Sequence, residues 1–122
     1  MLSARVRASQ RSRLATIVAR LPEVEVREQQ HVAYSVRGKK FAYHLVDHHG
    51  DGRVSFQCKA ERGLNQSLVD ADPEHHFLPA YMARHGWIGL WLDDGPVDWD
   101  EIERYVVDAY RLTAPASLAK RL

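Results

Sequence analysis

One stretch decides the fold of this chain: Phe77-Leu-Pro-Ala-Tyr81-Met-Ala-Arg-His85-Gly86-Trp87-Ile-Gly-Leu-Trp-Leu92. Pro79 suits the first turn of a helix, where its missing N–H is not needed. Gly86 suits the left-handed position just beyond a helix end. The stretch therefore predicts a short helix over residues 79–85. The apolar segment at 87–92, which lies between a glycine and the turn residues 93–96, predicts a strand.

The predicted strand is apolar on both sides. Because side chains alternate along a strand, its three aliphatic residues share one face, and its two tryptophans share the other face with a glycine. The aliphatic face consists of Ile88, Leu90 and Leu92, and the other face of Trp87, Gly89 and Trp91. This pattern indicates a strand in the centre of a sheet, or a strand with one binding face.

Composition sets the broad class of the protein. The 122 residues, of which 45% are hydrophobic, predict a single domain over 1–122. The net charge of +1 creates no global field for a polyanion, so any nucleic-acid affinity must come from a local patch. A lone cysteine, Cys58, fits a reducing compartment. Without an apolar run of about 20 residues or a signal-peptide pattern, we expect a soluble cytoplasmic protein with no membrane partner.

An amphipathic helix is predicted near the N-terminus, before Pro22. One face of it carries apolar residues at i, i+3, i+4 and i+7, namely Leu14, Ile17, Val18 and Leu21. Extended backwards, this face reaches polar residues at positions 7, 10 and 11, which do not suit a core. We therefore expect the helix to begin between Ser9 and Ser12, and residues 1–8 to form a flexible basic overhang.

The middle of the chain predicts antiparallel strands. Period-two runs cover 24–26, 32–36, 41–46 and 54–60, with turn residues at 37–40 and 48–52. A weak helix over 62–69 follows, and an acidic capping box at Asp98–Glu101 begins a helix that reaches Leu112. The order predicts a two-layer α+β domain in which the N- and C-terminal helices cover one face of an antiparallel meander sheet. The other face is left for solvent or a partner.

Three segments of the chain resemble the MmcQ/YjbR family. Residues 34–42, Tyr-Ser-Val-Arg-Gly-Lys-Lys-Phe-Ala, are similar to its "f-x-v-x-G-K-x-F-A" hairpin. Residues 77–87 resemble its "pa-Y…GW" pattern, and residues 108–112 its closing "S-Y-x-L" helix. The resemblance implies a CyaY-like (frataxin-like) fold and a DNA-binding role. The chain departs from the family at Ala109, where serine is usual, so any role of that hydroxyl is absent, and at Ala60, where proline is frequent.

A basic group of residues forms the candidate nucleic-acid site. The predicted contacts are Arg37, Lys39, Lys40, Lys59 and Arg62, with Trp87 as a stacking surface. Cationic hairpin tips can straddle a phosphate backbone, and an exposed indole can stack on bases. The alternative is that these cations protect turns and sheet edges from aggregation, while Trp87 and Trp91 pack in the interior.

No metal, cofactor or catalytic residue is predicted. The pairs at 48–49 and 75–76 are adjacent histidines, which reach one ion awkwardly, and no His-x-x-x-His lies on a predicted helix with an acidic third ligand. The frataxin-like fold raises the question of iron, but the first helix here is rich in arginine rather than acidic. Cys58 shares the apolar face of its strand, so we expect a buried small hydrophobe rather than a nucleophile.

Three hypotheses follow from the sequence. The first is a nucleic-acid-binding module. The second is a non-enzymatic adaptor that holds a protein or a small ligand on its open sheet face, for which Trp87→Ala should abolish capture. The third is an enzyme, which requires a deep pocket lined by His44, Tyr81 and Cys58. The sequence leaves open any DNA sequence preference and the physiological partner, and we expect a monomer or a weak homodimer.

Overall fold

The computed structural model describes residues 1–122 and contains six strands and four helices. The strands are β1 (Val24–Glu28), β2 (Val32–Val36), β3 (Lys39–Val46), β4 (Val54–Cys58), β5 (His76–Phe77) and β6 (Ile88–Trp91). The helices are α1 (Ala4–Val18), α2 (Leu64–Ala71), α3 (Trp99–Thr113) and α4 (Ala116–Ala119). The strands form one antiparallel sheet in the order β1-β2-β3-β4-β6-β5. The predicted α+β fold is confirmed, although β5 was not predicted.

Both long helices lie on the same face of the sheet. A single hydrophobic core joins α1 and α3 to β2, β3, β4 and β6, and its fully buried members include Leu14, Phe56 and Val106. Tyr110 closes one end of the core, because its hydroxyl donates a hydrogen bond of 2.7 Å to the Pro22 carbonyl. The helices therefore seal one face and leave the other without a helical cover.

The start of α1 differs from the prediction. The helix begins at Ala4, and the Ser3 side chain caps it by accepting a hydrogen bond of 3.2 Å from the Val6 N–H. Gln10, which the sequence pattern placed outside the core, is only 4% exposed because its amide donates to the Leu92 carbonyl at 2.9 Å. The apolar spacing therefore predicted only the second half of α1, which packs on the core through aliphatic side chains.

The deciding stretch contains less helix than predicted. Residues 79–82 form a turn, and only Ala83–His85 make a short 3-10 helix. Gly86 has φ 91°, as expected, and a Cβ there would lie 2.7 Å from the Ala60 carbonyl oxygen. The strand prediction is confirmed, since β6 lies between β4 and β5, and its aliphatic face is buried in the core.

The remaining helices follow their end signals. Asp98 caps α3 by accepting hydrogen bonds of 3.1 Å from the N–H groups of Asp100 and Glu101, as the capping pattern predicted. The second helix, α2, begins after Gly63, whose φ of 85° requires a residue without a Cβ, so it lies two residues later than predicted. None of the helices has the length and the apolar character needed to cross a membrane.

Candidate ligand-binding groove on the open sheet face

The face opposite the helices forms the floor of a groove of about 840 Å³. Cross-strand partners project to the same side of a sheet, so the pairing register shows which residues share this floor. One row crosses five strands, in the order Ala33, Tyr43, Gln57, Gly89 and Phe77. The face that the sequence left free for a partner is therefore concave and lined by aromatic and small residues.

A stack of side chains builds one wall of the groove. Phe77 lies across Gly89, where a Cβ would approach its ring to 2.2 Å, and it stacks on Trp91 with ring centroids 4.2 Å apart. The Arg53 guanidinium lies over the Trp91 ring, 3.9 Å from its centroid. Asp93 holds this guanidinium through a two-point hydrogen bond of 2.8 and 3.0 Å. The wall is thus fixed, and the charge of Arg53 is already paired.

Tyr81 stands at the rim of the same wall. It is 83% exposed, and its φ of 66° lies in the left-handed region that tyrosine rarely adopts. An exposed aromatic side chain on a strained backbone is a feature of binding sites. The sequence analysis placed Tyr81 inside a short helix and named it only as part of the pocket that an enzyme would need, not as part of the open sheet face. Its only available signal was its place between Pro79 and Gly86.

Three histidines close the other end of the groove. The rings of His31 and His48 are 5.3 Å apart, and those of His48 and His49 are 3.9 Å apart. His31 accepts a hydrogen bond of 3.0 Å from the Val46 N–H through Nδ1. Burial, with a further contribution from the neighbouring imidazoles, lowers the pKa of His31 and of His48. The lowered pKa favours the neutral form of the His31 and His48 rings, which then present planar, weakly polar surfaces.

The permanent charges along the groove are mainly positive. Arg27 and Lys40 line it without forming an ion pair, and Asp51 is the only acidic residue in its lining. A second hollow of about 650 Å³ adjoins the groove at Met82. Lys59 and Arg62 line this hollow without an ion pair, together with the acidic Glu61 and with Leu112 of α3.

Three of the six predicted contact residues come together on the open side. The Lys59 N–H donates to the Phe41 carbonyl at 3.0 Å, which continues β4 beside the start of β3 and places Lys59 opposite Phe41, the residue that follows Lys40. Lys40 pairs with Ser35 on the open face, and Arg62 joins Lys59 around the second hollow. A local cationic cluster therefore exists, although it is smaller than the predicted one.

Of the other three predicted residues, Arg37 and Lys39 lie elsewhere, whereas Trp87 lines the second hollow but is buried. Arg37 is held by Glu23 through hydrogen bonds of 2.8 and 3.0 Å, and Lys39 pairs with Val36, on the opposite side of the sheet from Lys40. Trp87 is only 4% exposed, and its ring packs on Tyr43 with centroids 5.5 Å apart. Its interior packing corrects the interpretation of Trp87 as a stacking surface.

The pocket that an enzyme hypothesis required does not form. His44 and Cys58 are fully buried on the helix side of the sheet, whereas Tyr81 lies on the open side. Burial lowers the pKa of His44 to about 4 and raises the pKa of the Cys58 thiol. The thiol therefore stays protonated and is a poor nucleophile.

Comparison with known proteins agrees with this architecture. The YjbR family model matches residues 19–112, a span that includes all six strands and most of α3. The crystal structure of Deinococcus radiodurans protein DR2400, a DUF419-domain protein, matches with a TM-score of 0.68 and 16% identity, covering 88% of this chain and 83% of that chain. At this identity the match shows a shared fold. No curated protein matched. Because the family model covers well over half of the chain, the protein belongs to the YjbR family.

Proposed function

We propose that the protein binds a single strand of nucleic acid across its open sheet face. The observation that carries the proposal is that two regions of different chemistry adjoin each other on this surface. One is a groove with aromatic and apolar side chains, and the other is a set of unpaired cations at its edge. Nucleic acid strands offer the complementary pair, planar bases and anionic phosphates.

The cations supply the phosphate contacts. Lys40, Lys59 and Arg62 are free to bind a phosphate, because none of them is held by a carboxylate. Each phosphate contact releases condensed counterions, so affinity must fall as salt rises. The net charge of +1 adds little to this effect, which makes the local cluster the source of attraction.

The groove supplies the base contacts. Tyr81 is exposed at its rim, and Tyr43, which is half-buried on its floor, is supported from the side by Trp87. Stacking of one base on an aromatic side chain contributes about 1–3 kcal/mol. Bases inside a duplex are already stacked on each other, so we expect a preference for single-stranded over double-stranded nucleic acid. Such a role suits a cytoplasmic protein.

Fluorescence anisotropy with a labelled single-stranded oligonucleotide and the matching duplex tests this proposal. We expect tighter binding of the single strand, and a steep loss of affinity with salt. Lys59→Ala combined with Arg62→Ala should weaken binding and reduce the salt dependence. Arg5→Ala combined with Arg13→Ala removes the same charge from α1, on the other side of the molecule, and should change neither. Absent or salt-insensitive binding refutes the proposal.

The size of the groove favours a second candidate, an adaptor that holds a small ligand or a peptide. Its volume of about 840 Å³ falls within the range of ligand pockets, about 300–1,000 Å³. Because Trp87 is buried, Tyr81→Ala replaces Trp87→Ala as the informative variant. In a pull-down from lysate, an adaptor should keep its partner after nuclease treatment. The Tyr81→Ala variant should lose the partner, whereas Lys59→Ala combined with Arg62→Ala should retain it.

A further inference from the structure

We propose that His75, His76 and Glu101 form a binding site for a divalent transition-metal ion such as Zn²⁺. Each residue offers one ligand atom, and the three atoms all lie within 4.8 Å of one another. Two imidazoles and one carboxylate are a ligand set that suits zinc and its neighbours in the periodic table. The site is built on the start of β5 and the residue before it, at the edge of the sheet, and on the first turn of α3, apart from the histidines of the groove.

The fold turns two adjacent histidines towards one helix. Their rings are 4.9 Å apart and nearly perpendicular, at 81°. The Nε2 atom of His75 lies 3.0 Å from Oε1 of Glu101, and that of His76 lies 3.2 Å from the hydroxyl of Tyr105. Because Glu101 and Tyr105 are four residues apart on α3, both imidazoles approach the same side of that helix. This overcomes the difficulty that adjacent histidines normally have in sharing an ion.

Each imidazole is also held from behind. Nδ1 of His75 lies 3.0 Å from Oδ2 of Asp94, and Nδ1 of His76 lies 3.3 Å from the Asp72 carbonyl oxygen. Metal-bound histidines usually donate their second N–H to a carboxylate or a backbone carbonyl, which fixes the ring and its tautomer. Both histidines have such an acceptor, and this leaves their Nε2 atoms for the metal. A metal ion at this position would replace two existing contacts, the one between His75 Nε2 and Glu101 and the one between His76 Nε2 and the Tyr105 hydroxyl.

The environment suits an ion that reaches its site from solvent. The side chains of His75 and Glu101 are 25% and 26% exposed, whereas His76 is buried. Three protein ligands leave one tetrahedral position for water. A bound ion would join β5 to the start of α3. Since β5 also carries Phe77, the ion would stabilise the wall of the groove.

Titration of chelator-treated protein with Zn²⁺, followed by calorimetry, and with Co²⁺, followed by visible absorption, tests the site. We expect one equivalent of either ion to bind, with a rise in the thermal unfolding midpoint. Glu101→Gln and His76→Gln should each abolish stoichiometric binding. Asp94→Asn, which changes only the group behind His75, should weaken affinity by about 10- to 100-fold.

The double variant His48→Ala, His49→Ala is the matched control, because it removes two histidines from the groove and should bind Zn²⁺ like the original protein. Loss of binding in this control, unchanged binding in Glu101→Gln, or no stoichiometric binding by the original protein would each overturn the proposal. Should the ligand variants fail to fold, imidazole NMR signals of the original protein decide. In that case Zn²⁺ must shift the imidazole NMR signals of His75 and His76. Shifts that are confined to the signals of the other histidines would refute the site.

Discussion

At the scale of single residues, His44 links α1 to the sheet through a buried polar chain. Gln10 donates its amide N–H to the Leu92 carbonyl at 2.9 Å, so its Oε1 atom faces His44 Nε2 at 3.0 Å and accepts the N–H there. The Nδ1 atom of His44 has no hydrogen-bond partner. The neutral ring therefore fits this position, and protonation would bury a charge without compensation.

This arrangement predicts a loss of stability in acid. Burial lowers the pKa of His44 from 6.5 to about 4, so the unfolded chain binds a proton more readily than the folded one between these values. The free energy of unfolding should fall by about 3 kcal/mol from this group as the pH drops through that window. Urea unfolding measured from pH 7 to pH 4 checks this, with His44→Gln as the reference. A variant with the same pH dependence as the original protein would contradict the prediction.

A second residue-scale prediction concerns Tyr81. Its left-handed φ of 66° costs about 1 kcal/mol for a tyrosine and little for a glycine. Tyr81→Gly should therefore leave the free energy of unfolding unchanged or raise it by up to about 1 kcal/mol. On the proposed function, it should also weaken oligonucleotide binding by about 1–3 kcal/mol. Denaturant unfolding and anisotropy measure the two effects, and a destabilised variant would show that Tyr81 has a structural role instead.

At the scale of elements, an irregularity in the β2–β3 hairpin determines which side chains reach the groove. The register shifts between Tyr34 and Ser35, so that Phe41 is an extra residue in β3. Phe41 and Ala42 are both buried in the core, whereas Tyr43 lies on the open face. The bulge therefore lets two successive residues face the core, with Lys40 before it and Tyr43 after it on the open face. Lys39 and Lys40 lie on opposite sides of the sheet because side chains alternate along a strand.

The two lysines form a matched pair for testing the proposed function. Lys40→Ala should reduce affinity for a single-stranded oligonucleotide and lower its salt slope by about 1, because it removes one phosphate contact. Lys39→Ala removes the same charge one residue away and should have the smaller effect. Anisotropy titrations at several salt concentrations measure the affinity and the salt slope of both variants. Equal losses would indicate a non-specific charge effect rather than contact with the open face.

The β5–β6 pair supports a prediction about Gly89. A Cβ at this position would lie 2.2 Å from the Phe77 ring, so Gly89→Ala must displace the ring from Trp91. We expect a loss of about 1–3 kcal/mol in the free energy of unfolding. In a Phe77→Ala background the same change should cost much less, because the obstructing ring is gone. A double-mutant cycle measures this coupling, and additive effects would contradict it.

At the scale of the whole molecule, the two sides of the sheet have different tasks. The helix side holds the hydrophobic core, and two of its surface arginines have partners there. Arg20 pairs with Glu103 at 2.9 Å, and Arg13 lies over the Trp99 ring. The open side carries the groove and the free lysines. The chain is nearly neutral overall, so the free cations beside the groove are a local feature of the open side.

The first helix provides a whole-molecule prediction. The family match begins at residue 19, yet α1 buries Leu14, Ile17 and Val18 in the common core. Burying these three side chains contributes about 5–9 kcal/mol, which is comparable to the whole stability of a small domain. Deleting residues 1–18 should therefore abolish cooperative unfolding, whereas residues 1–122 should unfold in a single transition. Circular dichroism and tryptophan fluorescence should report that transition at the same denaturant concentration.

The amino-acid sequence by itself determined the elements whose signals are local. Five of the six strands, the cap of α3 at Asp98 and the left-handed turn at Gly86 follow from the spacing of apolar residues, capping and backbone freedom, which depend on residues close together in the chain. Only the tertiary structure decided which side chains meet. The bulge at Phe41, the burial of Trp87, the groove, and the approach of two histidines to Glu101 depend on pairings between distant segments. Local periodicity carries no information about such pairings, because they are selected by the packing of the whole core.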